Sequence, residues 1–87
     1  MDKKKLLEEQ VKVLNMRVLT ISEQNPDLRV RQVTRKMYND YVKQMKTIFP
    51  ENEEVKKLSE DADPFDYADL SNLMGHLVTL IDYLLEE

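Results

Sequence analysis

Apolar residues recur along this chain at alternating steps of three and four, and three stretches keep that rhythm long enough to predict helices. In the first, Leu7, Val11, Leu14, Val18 and Ile21 form the narrow seam of a helix packed lengthwise against another, predicted over residues 3–24. In the second, Val30, Val33, Met37, Tyr41, Met45 and Ile48 share one side of a helix predicted over 26–48, with Tyr38, Val42 and Phe49 widening that side. The last is the most apolar. Leu70, Leu73, Leu77, Leu80 and Leu84 form a heptad seam in a helix predicted over 64–85, and Tyr67, Met74, Ile81, Val78 and Leu85 broaden it. A stripe this wide predicts contact with more than one neighbouring helix. Between the second and third helices, residues 51–60 offer only Val55 and Leu58 as large apolar anchors, which predicts a short connecting helix resting on the others.

The three prolines set the joints. Asn25-Pro26, Phe49-Pro50 and Asp63-Pro64 each push the preceding residue out of the α region and end whatever helix comes before. Asn and Asp are good N-caps and proline suits the first helical position, so Asn25 and Asp63 are predicted to cap the helices that follow them. Pro26 predicts a tight turn between the first two helices.

The expected fold is therefore all-α, in one domain covering 1–87. It is an antiparallel helical hairpin or three-helix bundle with a short connecting helix. Helices of some 22 residues are roughly 33 Å long, generous for a single small bundle. That length suits hairpins from two chains, so a dimeric helical bundle with coiled-coil-like packing is expected.

Composition agrees with helices and limits the chemistry. One glycine and three prolines are too few for the turns of a sheet protein. With no cysteine there is neither a disulfide framework nor a thiolate metal site, and the reducing cytoplasm is the expected location. No apolar run approaches the roughly 18–20 residues that span a bilayer, and the run Met1-Asp2-Lys3-Lys4-Lys5-Leu6-Leu7-Glu8-Glu9 meets acids too early for a signal peptide. No membrane partner is expected, and nothing in the sequence requires a cofactor.

Charge is unevenly distributed. The net −4 combines +1 over residues 1–25, +4 over 26–50 and −9 over 51–87. On the second helix Arg31, Arg35, Lys36, Lys43 and Lys46 fall with Arg29, Gln32 and Asn39 on one polar face, the arrangement that phosphate contact needs. The overall acidity and the lack of aromatics on that face favour a solvated surface, or pairing with the acidic third segment.

The acidic pairs Glu51/Glu54, Glu60/Asp63 and Asp66/Asp69 repeat a spacing that suits Mg²⁺, but they lie too close together and straddle Pro64. They cannot face one another across two long helices. Asp61-Ala62-Asp63 does not begin an EF-hand, because Asp66 stands where the loop needs glycine and Asn72 where it needs glutamate. His76, the sole histidine, sits at the border of the apolar stripe and reads as an ordinary hydrogen-bonding residue. Gly75, the sole glycine, falls on the polar face inside a helix, where it costs close to ~1 kcal/mol. Tyr38, Tyr41, Tyr67 and Tyr83 read as stripe-edge residues, and Met16, Met37, Met45 and Met74 as core filler.

The sequence thus predicts a non-catalytic, homodimeric helical protein–protein interaction module, a small regulatory or adaptor subunit. Its interface would be Leu7, Val11, Leu14, Val18 and Ile21 with Leu70, Leu73, Leu77, Leu80 and Leu84. One alternative is a nucleic-acid or anion binder using Arg29, Arg31, Arg35, Lys36, Lys43 and Lys46. Another is a small metal-dependent helical enzyme with its site between subunits.

Overall fold

The computed structural model describes residues 2–86, and its helices start and stop where backbone groups find substitutes for helical hydrogen bonds. Helix α1 spans Lys3–Gln24 and opens on Asp2, whose carboxylate accepts the Lys4 N–H at 3.0 Å. It closes at Asn25, whose N–H donates to the Ile21 carbonyl. The Asn25 carbonyl then accepts the Leu28 N–H at 3.1 Å, closing a turn around Pro26 and Asp27.

The second helix begins later than the sequence predicts. Helix α2 spans Gln32–Ile48, and residues 26–31 run irregularly across the start of the last helix, α4, which spans Tyr67–Leu85. A helix start leaves four N–H groups without helical partners. Here the Tyr67 N–H donates to Leu28 O at 2.9 Å and the Ala68 N–H to Pro26 O at 3.2 Å. The Asp66 carboxylate accepts the Asp69 N–H, and the Asp66 carbonyl accepts the Leu70 N–H. The Val30 N–H donates to Phe65 O, completing an isolated antiparallel bridge between Arg29 and Asp66, and Val30 is buried as the anchor. Residues 26–31 are kept out of α2 because they complete α4. The caps shift accordingly. Asn25 closes α1 instead of opening α2, whose N-cap position is Arg31 without a side-chain bond, and α4 is capped by Asp66 instead of Asp63.

Helix α3 is one turn, Glu53–Lys56, capped by Asn52 and pinned by the buried Val55. The chain beyond it crosses α2 and is clamped by Asn39. The Asn39 Nδ2 donates to Ala62 O at 3.0 Å, and its Oδ1 accepts the Ala62 N–H at 2.9 Å.

Packing is uneven among the long helices. Helix α1 lies against α4 along much of its length and meets α2 over a shorter stretch. The core holds Leu7, Val11, Leu14 and Val18 of α1, Tyr38, Val42 and Met45 of α2, and Tyr67, Leu70, Met74, Leu77 and Ile81 of α4. Full burial of one such apolar side chain is worth roughly 1.5–3 kcal/mol. On α4 the buried line is therefore rotated from the leucine heptad. Leu70 and Leu77 belong to it, whereas Leu73, Leu80 and Leu84 are half-buried on its flank. On α2 the expected order is reversed, since Tyr38 and Val42 lie at the centre while Met37, Tyr41 and Ile48 are half-buried and Val33 is exposed.

No helix of the described residues is long and apolar enough to cross a membrane.

Candidate interaction surface

The positions expected to form a dimer seam lie largely inside the single chain. Leu7, Val11, Leu14, Val18, Leu70 and Leu77 are each almost wholly buried by their own protomer. Ile21, Leu73, Leu80 and Leu84 are half-buried against the same core. The periodicity that suggested an interface between chains is satisfied between α1 and α4 of one chain, whose sides are tied by Lys12 and Asp82 at 2.9 Å. The Asp82 hydrogen bond, before any other cause, holds the Lys12 ammonium above its ordinary pKa.

The basic face of α2 is partly covered as well. Arg35 Nε lies 2.9 Å from Asp63 Oδ1, an ion pair without hydrogen-bond alignment. Lys46 Nζ stands 3.6 Å from Glu60, and the Arg29 guanidinium stacks 4.0 Å from the Phe65 ring centroid. Together with the Asn39 clamp, these contacts lay the acidic connector across that face. Arg31, Lys36 and Lys43 are exposed.

Two of the acidic pairs have structural roles: Glu60 and Asp63 meet α2, and the Asp66 carboxylate caps α4 by accepting the Asp69 N–H. Glu51 and Glu54 are exposed. Among the described residues no three His, Asp or Glu side chains converge as metal ligands would. His76 and Gly75 are exposed on the outer side of α4, and a Cβ placed on Gly75 would meet nothing within 4 Å. No close approach among the described residues accounts for this glycine.

A different surface brings together three exposed apolar residues, Leu6, Val13 and Val33. Where α1 and α2 diverge, three half-open depressions of about 320, 290 and 310 Å³ run end to end. Leu6 borders the first and second, and Leu14, Arg17 and Met37 border the second and third, so the three form one continuous groove. Its apolar walls include Leu6 (43% exposed) and Val13 (57%) from α1, and Val33 (62%), Met37, Tyr41 and Ile48 from α2. The two helices run in opposite directions along it, with Lys3 beside Ile48 at one end and Arg17 beside Arg31 at the other.

The sequence contained a signal for this groove. Leu6 and Val13 stand seven apart on the flank of the α1 seam, and Val33, Met37, Tyr41 and Ile48 make a second apolar line on α2. Two apolar lines on one helix indicate two neighbours. In this chain the second line of α2 is incompletely covered: Met37, Tyr41 and Ile48 are half-buried and Val33 is exposed.

Comparison with protein-family models, with curated proteins and with solved structures finds no match to this chain.

Proposed function

We propose that this chain is a non-catalytic helical protein–protein interaction module, a small regulatory or adaptor subunit whose working surface is the groove between α1 and α2. The observation that carries this reading is the convergence of Leu6, Val13 and Val33, all exposed, on one continuous depression. Isolated surface apolar residues are ordinary; several aligned along one groove mark a surface that is covered when the protein works. Helix-in-groove recognition needs this geometry, with two diverging helices presenting an apolar floor to a third.

The homodimer expected from the helical seams loses its main anchors, because those leucines and valines belong to the protomer core. The interaction reading therefore moves from the seam to the groove. The anion-binding alternative is narrowed, since three of its six cations have partners within the chain.

Site-specific photo-crosslinking in the protein's native cells tests the reading. A photoreactive residue at Val13 or Val33 should give discrete crosslinked products, and one at Glu54 or Lys57, exposed on the opposite connector, should not. Equal labelling from all four positions, or none from the groove, would contradict it.

A further inference from the structure

We infer that the groove between α1 and α2 receives an acidic amphipathic helix from another protein, a conclusion that rests on reading this groove as the working surface. The charge along its edges selects the occupant. Lys3 and Lys43 flank one end, Arg17 and Arg31 flank the other, and among the described residues Glu9 is the sole acid lining it. Lys36 and Asp40, exposed farther out on α2, offset each other in formal charge. A helix laid in this trough places its apolar stripe on Leu6, Val13, Met37 and Ile48, and its flanking side chains beside cations on both walls. Asp and Glu at those flanking positions gain favourable charge contacts, whereas Lys and Arg are repelled.

The same charges exclude a second copy as the natural occupant. A two-fold dimer through this groove would set the four cations of one copy against the four of the other, because a two-fold interface is self-complementary. Nor do the described residues include an unoccupied acidic helix to donate. The acidic connector has only Val55 and Leu58 as anchors, and Val55 is already buried. Helix α4 has its apolar line in the core.

Length completes the description. From Val33 to Ile48 the groove wall on α2 runs about 23 Å, so about 15 residues, four turns of partner helix, would cover it. Apolar residues at i, i+4, i+7 and i+11 would follow the floor, making the partner a further long helix beside α1 and α2.

The test is a displayed library of amphipathic helices of about 18 residues, selected against the intact chain. Apolar positions are fixed at that spacing, and Asp, Glu, Lys, Arg, Ser and Ala are allowed elsewhere. Enriched sequences should be acidic beside the apolar stripe, and a synthesised member should bind more weakly as salt is added. Val33→Asp should weaken it roughly tenfold or more. Arg17→Glu with Arg31→Glu should do the same, while a Lys-for-Glu version of the peptide binds the double variant better than it binds the unmodified chain. These substitutions lie at exposed or groove-edge positions, and unchanged helical content and melting confirm the fold in each. Should one variant fail to fold, Val13→Asp and Arg17→Glu alone provide the same two readouts.

Enriched helices that are neutral or basic yet lose binding on Val33→Asp would overturn the acidic partner and leave the groove as the working surface. Enriched helices indifferent to both Val13→Asp and Val33→Asp, or no enrichment at all, would overturn both. A chain that doubles in mass and excludes every peptide from the groove would assign it to a second copy and overturn the inference.

Discussion

The two sides of α1 are built from similar residues and end differently. Toward α4, Val11, Leu14 and Val18 share one core with Leu70, Met74 and Leu77, and all six are buried. Toward α2, Leu6 and Val13 face Met37 and Val33 across a trough whose walls diverge. The cause lies in the ends of the helices. Residues 26–31 pass over the first turn of α4 and supply carbonyls to Tyr67 and Ala68, which fixes α4 beside the end of α1. The connector, clamped by Asn39, covers the outer face of α2. Neither device draws α2 onto α1. A chain can thus satisfy every helix end and still leave one apolar valley open.

The largest effects should come from placing the same charge on the two sides. Leu77→Asp buries an unpaired carboxylate in the closed side and should cost about 4 kcal/mol or more, enough to abolish cooperative melting in so small a domain. Val33→Asp, on the open side, should move stability by no more than about 0.5 kcal/mol. Thermal melts followed by circular dichroism distinguish them, and equal losses would erase the difference between the two sides.

Asn39→Ala sharpens the comparison by loosening the connector without touching either side of α1. It leaves both backbone groups of Ala62 without their partner and should cost about 1–3 kcal/mol in urea unfolding. Gly75→Ala acts on the outer side of α4, where nothing stands in the way of a methyl group. It should stabilise by about 0.5–1 kcal/mol through lower chain entropy and better helix propensity, visible as a small rise in melting temperature.

Titration of the Tyr38 hydroxyl leaves stability unchanged near neutral pH, where folded and unfolded chains both keep the proton. Burial raises its pKa above the ordinary 10.0, so as pH rises the unfolded chain loses this proton first. The unfolded state then binds fewer protons than the folded one, and stability falls from about pH 10 upward through the folded pKa. In Tyr38→Phe this part of the alkaline loss should disappear from a series of urea melts.

The helices were legible in the sequence to the extent that local rules governed them. Lys3–Gln24 matches the predicted first helix, because its limits depend on Asp2, the seam and Pro26, all within the segment or one or two residues from its ends. The start of α2 was not legible, since the acceptors that residues 26–31 provide serve N–H groups some forty positions later. The leucine heptad of α4 misled for a related reason. Two overlapping lines, one through Leu73 and Leu80 and one through Met74 and Ile81, are equally helical, and only the direction of the neighbours decides which is buried. The groove was legible only in part: its apolar lines on α1 and α2 stand in the sequence, but that they lie side by side and uncovered depends on how two separate helices are placed, which no single segment encodes. Charge was more transparent: a basic α2 and an acidic connector meet as Arg35 with Asp63 and Lys46 with Glu60.

Four methionines report on both sides at once, and their oxidation rates in dilute peroxide provide the most direct test of the central claim. Met45 and Met74 are fully buried, Met16 is exposed (68%), and Met37 is half-buried in the wall of the groove. Peptide mass spectrometry on the intact chain alone should find Met16 fastest, Met37 intermediate, and Met45 with Met74 slowest, in the same order across a wide range of protein concentration. A Met37 as protected as Met74, or one that becomes protected as concentration rises and the mass doubles, would contradict an open groove awaiting a different protein.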